Sequence, residues 1–465
     1  FFFKQKTAYE ITYGDWSSDV CSSDLQSRGI RKVFMSDYRI SLKLSLALLQ
    51  FGIAAVKPAN SSLNAQQSDK VVILNHADSL VGMEIDGEQA RQLIGNVKFT
   101  QGRIVVTCER AIQYLKSNKV SMEGVVEVRD DSMRMVGARG MYYAGTRTAE
   151  AFERVMLEDK ATTLQAVYGK YFIDEKKAYF KSNVVVEDTT SVLTSNELTY
   201  YREDQISIAD GDVKITNKNK SMVVNGGHFE HYKKKQYSVI TKQPRVIQYD
   251  GPDSAKDTLV IKSRVMESYQ DSVERLVATD SVTIVRSGFA AEAGLSVYYT
   301  GADSIILRRS PVIWYVPKQH EDNQVSGDSI FIKLEKRQLE TVLVRGSAVA
   351  ISRADSIKTE RFNQLTGQEI IMHFHEKKLE RMDVDQTATS LYYLFDDTEP
   401  NGLNKTSGDH ITFLFNQGKI DRIKITGGVE GQYVPEKMVR NKEQEYNLAG
   451  FNWRTSRPVM ETINK

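Results

Sequence analysis

The sequence predicts an all-β repeat protein of stacked coils, with about ten repeats of about 29–40 residues. Three observations carry that prediction: a 29-residue step between apolar pairs, a spacing of two within each pair, and a composition rich in tyrosine (22) and phenylalanine (18) but poor in proline (8), which suits strands. The pair Val97 and Phe99 recurs as Val126 and Val128, Val155 and Leu157, Val184 and Val186, and Val213 and Ile215. Nine residues after each anchor come Val106, Met135, Leu164, Leu193 and Met222, and eleven after it a column of mostly small residues, Cys108, Gly137, Ala166, Ser195 and Val224. Sixteen after it come Gln113, Tyr142, Tyr171, Tyr200 and Phe229.

A spacing of two is strand periodicity. Turn clusters such as Asp130-Asp131-Ser132 and Asn225-Gly226-Gly227 punctuate the apolar runs. Each repeat therefore reads as a few short strands joined by tight corners. Stacking equivalent strands about 4.8 Å apart would pair every backbone group, and about ten layers would span on the order of 50 Å. Beyond Val213 the step loosens, with later anchors at Val246, Val282 and Ile284, Val312 and Trp314, and Val349 and Ile351. The polar stretches Asp250–Asp257 and Gln319–Gln324 read as loops on one edge.

The chain has 465 residues and a net charge of +2, so nucleic acid is not an expected partner. Residues Phe1–Leu25 resemble a translated sequencing-adapter read-through, and 1–34 are set apart as a non-native leader. Met35 then reads as the start of a signal peptide over 35–65, with Arg39 and Lys43 preceding the apolar run Leu44–Val56 and cleavage near Ala59 or Ala65. That run is short for a bilayer span. Only Cys108 remains in the mature chain, so it contains no intramolecular disulfide and stability must come from the core.

No nucleophile-elbow, Walker or dinucleotide-binding motif is present, so neither an enzyme nor a cofactor is expected. His373 and His375 share a strand face, and Glu376 follows as a possible further ligand, but no nearby cluster supplies the three or four ligands zinc needs, and His228 and His231 are spaced for a helix rather than a strand. Two function classes fit stacked coils of this kind: a β-solenoid polysaccharide-degrading enzyme, for which Asp280, Glu292 and Arg286 would have to cluster on one exposed face, and a structural surface repeat with a filled interior.

The blocks Ala209–Tyr232 (ADGDVKITNKNKSMVVNGGHFEHY) and Ser182–Tyr201 (SNVVVEDTTSVLTSNELTYY) resemble repeats of the OstA-like, LptA-like family of lipopolysaccharide-transport bridge proteins. The likeness runs from about Val81 to Glu436, and the GGVEGQYVPE ending at Gly427–Glu436 is similar to Bacteroidetes-type forms. The resemblance implies a β-jellyroll, or folded-over β-solenoid, open along one side. It implies a first jellyroll over 66–243, a second, looser one over 244–436, and a C-terminal tail at 437–465. It further implies a periplasmic location and lipopolysaccharide as ligand, its lipid A acyl chains lying in the trough. The partners it implies are jellyroll domains of inner- and outer-membrane transport proteins, and free edge strands add head-to-tail self-association. The candidate lining residues are Val97, Phe99, Val126, Val128, Val184, Val186, Val213 and Ile215, with Tyr142, Tyr171, Tyr200 and Phe229. Phe451 and Trp453 are candidates to cap the last coil.

Overall fold

The computed structural model describes residues 72–130, 133–159, 162–250, 257–316, 323–335, 338–354, 360–376, 378–396, 399–416 and 419–460. All of them belong to the unit Leu42–Lys465. The expected leader and signal segments lie outside the described residues.

Among the described residues, twenty-eight strands form one antiparallel sheet in which successive rungs are neighbours. A single repeat is one hairpin: the strand Lys119–Asp130, a two-residue link, the strand Met133–Tyr143 and a four-residue link lead to the equivalent strand Thr148–Asp159. Equivalent strands are thus separated by one antiparallel strand instead of stacking directly on each other. Each repeat adds two strands to the stack, which corrects the expected extent. Six levels are made of two short strands end to end, so the 28 strands form 22 rungs, on the order of 100 Å along the stacking direction.

The sheet is folded over along a crease. Every second rung contains two consecutive residues in the left-handed region: Gly95–Asn96, Gly124–Val125, Glu153–Arg154, Ser182–Asn183 and Gly211–Asp212, each 29 residues after the last. The series continues at Lys242–Gln243, Asp280–Ser281, Arg309–Ser310, Gly346–Ser347, Gln386–Thr387 and Gly427–Gly428. Two residues here stand opposite fewer on the neighbouring strand, so the ladder shifts register and the strand bends. The anchors Val97, Val126, Val155, Val184 and Val213 are the first residues after each bend, and the core lies between the two half-sheets.

Gly124 has φ +73°, and a Cβ there would stand 2.3 Å from Glu109 Oε2. Its neighbour Val125 has φ +36° and is exposed, an unfavourable place for a β-branched residue. Asparagine occupies this position in two sister repeats, at Asn96 and Asn183. Val125→Asn is therefore expected to stabilise the fold by about 1 kcal/mol, because asparagine tolerates the left-handed region. Gly124→Ala is expected to do the opposite. Urea midpoints of the two variants check the pair of signs.

The last described segment does not cap the final rung. After the helix α1 (Glu436–Val439), the chain runs back over the outside of the sheet. Val439 and Leu448 pack with Leu391, Tyr393 and Leu403. Phe451 and Trp453 lie on Phe362, with ring centroids 5.4 and 4.9 Å away, beside Val349 and Ile351. Gln324 Nε2 donates to the Asn452 carbonyl (2.6 Å), and Arg454 N–H donates to Gln324 Oε1 (2.9 Å). Met460 reaches the cluster of Val260, Val285, Ala290, Val312 and Trp314.

This strap changes the reading of two later anchors. Val312 with Trp314, and Val349 with Ile351, face outward beneath the strap, while Ile313 and Ala348 face the core between the half-sheets. A one-residue slip moves a strand's apolar set to the other face. Here both faces are covered, so both sets are apolar.

Candidate functional site

The inner face has a depth order set by distance from the crease. Val97, Val126, Val184 and Val213, next to the bend, are at most 4% exposed. Phe99, Val128, Val186 and Ile215 lie one inward position further out. On the other half-sheet, Tyr142, Tyr171 and Tyr200 stand near the open end. Across the open end, Tyr142 Oη donates to Gln101 Oε1 at 2.9 Å, which ties the two half-sheets together.

A cleft of about 1210 Å³, its open mouth included, lies between the half-sheets over residues 72–202. Five of the twelve candidates line it: Phe99, Val128, Tyr142, Tyr171 and Tyr200. The lining also includes Val120, Met122, Met133, Met135, Leu157 and Phe180, none of which was nominated. Gln101, Lys170 and Arg202 are among its few polar residues. Lys170 is paired with Glu150 at 2.9 Å.

The other seven candidates, Val97, Val126, Val184, Val186, Val213, Ile215 and Phe229, border neither this cleft nor the second one and pack into the core. Phe229 also leaves its expected column. In three earlier hairpins the paired inward residues are seven apart, as in Val128 with Met135, Leu157 with Leu164, and Val186 with Leu193. Ile215 pairs instead with Val224, nine residues on. The two extra residues lie in the turn, so Phe229 matches Leu198, and His231 takes the place of Tyr200.

A second cleft of about 3660 Å³, again with its mouth, lies over residues 257–423. Its walls include Leu259, Ile305, Ile332, Met372, Met382, Phe413 and Phe415. Arg286, Gln324, Arg353, Asn363 and Lys378 make it more polar than the first. None of these residues falls in a repeat column, because the repeat step varies throughout this part, and Arg286 entered only with the enzyme alternative.

Asp280, Glu292 and Arg286 are each taken up separately. Asp280, in the crease, meets Arg264 (3.2 Å) and Arg309 (3.5 Å). Arg286 pairs with Asp257 (2.7 Å) and Glu292 with Arg454 (2.5 Å). His373 Nε2 lies 3.6 Å from Asp383, which Arg381 also engages. Among the described residues, no group of three or more His, Cys, Asp or Glu is placed to hold a metal ion.

His228 and His231 point to opposite faces. Burial opposes protonation of His228, but its bonds to Glu230 (2.8 Å) and Asp210 (2.7 Å) prevail and raise its pKa. His231 is on the inner face, where burial, helped by Lys233, lowers its pKa to about 4. The Cys108 thiol is also buried, and burial raises it to about 11.

Among the described residues no helix is long and apolar enough to cross a membrane. Residues 69–225 match the family described as OstA-like protein. The matched stretch contains every residue lining the first cleft and none lining the second. No curated protein matches the chain.

Proposed function

We propose that, given the OstA-like match over residues 69–225, the protein is a periplasmic carrier of lipopolysaccharide that holds lipid A acyl chains between its two half-sheets on their way to the outer membrane. The observation that carries this reading is the first cleft, apolar along most of its wall and lying wholly within the matched stretch. A carrier needs no reactive group, only a dry wall that replaces water around hydrocarbon. Each methylene kept from water contributes about 0.8 kcal/mol. A purely structural repeat would fill its interior, and the separate ion pairs of Asp280, Glu292 and Arg286 give no support to carbohydrate cleavage.

Docking to jellyroll domains of membrane transport proteins, and head-to-tail self-association, belong to the same reading. The first edge strands expose Leu74, Leu80 and Val81, and the last exposes Ile420 and Ile423. Such edges accept a further strand.

The test is in-cell photo-crosslinking with a photoreactive amino acid at Val128, on the cleft wall, and at Val184, in the crease. Lipopolysaccharide adducts are expected at Val128 and not at Val184. Adducts at neither position, with expression and folding intact, would remove the carrier reading.

A further inference from the structure

The two clefts are separated by rungs that border neither of them. None of the described residues from 203 to 250 lines either cleft. In these rungs the inner position nearest the open end changes character. Ser207, His231, Ser238 and Ser268 stand directly opposite one another on four adjacent strands. They are 1%, 4%, 5% and 6% exposed. The same row carries Tyr200 on one side and Leu276 on the other. His231 Nδ1 and Ser238 Oγ are hydrogen-bonded at 2.9 Å, while Ser207 Oγ is buried with no hydrogen-bond partner. From the other half-sheet, Ile215, Met222 and Val224 are buried in the same region.

We propose that the trough is two separate hydrocarbon sites rather than one groove, parted by a septum whose inner wall is Ser207, His231, Ser238 and Ser268. The inference rests on the carrier reading and adds that the second cleft, outside the OstA-like match, is an amphiphile site of its own.

Two physical arguments support the division. The septum is filled by its own side chains, so an acyl chain could pass only by displacing them. A passing chain would also have to part the hydrogen-bonded His231–Ser238 pair and offers neither side chain a partner in exchange. Sliding of a lipid needs neighbouring rungs of similar chemistry, and that similarity ends here. The polar groups on the wall of the second cleft, Arg286 and Lys378 among them, suit an amphiphile with an anionic head.

The experiment uses the full chain with Cys108→Ala and single cysteines at Val128, Ser238 and Ile305, probed with an alkyl methanethiosulfonate. Serine to cysteine is nearly isosteric, so Ser238→Cys keeps the fold. Val128→Cys and Ile305→Cys are expected to react readily and to be protected by added lipopolysaccharide. Ser238→Cys is expected to react at least roughly 100-fold more slowly, through local opening only. Reaction at Ser238→Cys as fast as at Val128→Cys, with lipopolysaccharide protecting all three positions, would overturn the septum and leave the carrier reading standing. Ready reaction at Val128→Cys and Ile305→Cys with no protection at either would overturn the carrier reading and the two-site proposal together.

Discussion

Replacing Arg361 with alanine is expected to cost about 3–5 kcal/mol, the usual result of removing one partner from a buried charge network. Arg361 is fully buried. Its two terminal nitrogens donate to Glu436 (3.0 and 2.8 Å), and Nη2 also donates to Glu443 (3.1 Å). The guanidinium lies 5.3 Å from the centre of the Tyr393 ring. Both glutamates belong to the returning strap, and Arg361 immediately precedes the strand Phe362–His375. The alanine variant would strand two carboxylates against the apolar cluster of Leu391, Tyr393 and Val439. Loosening should begin in the strap, so hydrogen exchange at Leu448 and Phe451 should accelerate before the half-sheets around the first cleft respond. The triple variant Arg361→Met, Glu436→Gln, Glu443→Gln is expected to regain most of the loss, because it removes the unpaired charges as well. Chemical denaturation of both variants measures this. Equal losses would mean that the ion pairs add stability in their own right.

The register of the first five anchors was legible because the crease imposes it. A two-residue bend recurs every 29 residues, and the valine after each bend must fill the angle between the half-sheets. Glycine and asparagine at Gly95–Asn96 mark the bend in the sequence, but Glu153–Arg154 carry no such mark and are held left-handed by the surrounding ladder. Strand direction was not legible, since a period of two is the same in parallel stacks and in antiparallel hairpins. The outward faces of Trp314 and Ile351 were hidden because a strap more than a hundred residues away in sequence covers them. The displaced position of His231 followed from two extra residues in one turn, which column counting passed over. Of the candidate site, the positions well away from the crease, such as Val128 and Tyr142, reach the cleft, and the deepest ones serve packing.

His231 makes the middle of the trough sensitive to acid in a direction the structure fixes. Its pKa is about 4 in the fold against 6.5 for the free side chain. Above pH 6.5 the imidazole is neutral in both folded and unfolded chains and contributes no pH dependence. As pH falls from 6.5 towards 4, the unfolded chain takes up a proton that the folded chain refuses, so stability drops. Below about pH 4 both forms are protonated and the loss levels off. The full loss is about 3 kcal/mol at 1.36 kcal/mol per pKa unit. Nearby, His228 acts in the opposite sense, because its pKa is raised by Glu230 and Asp210, so wild-type stability alone would understate the effect. The clean measurement is the stability difference between wild type and His231→Gln, followed from pH 7.5 to pH 4. It should shift in favour of the variant as the pH falls. A difference that stays flat across that window would mean that His231 is hydrated and titrates normally, and a hydrated His231 is incompatible with a closed septum.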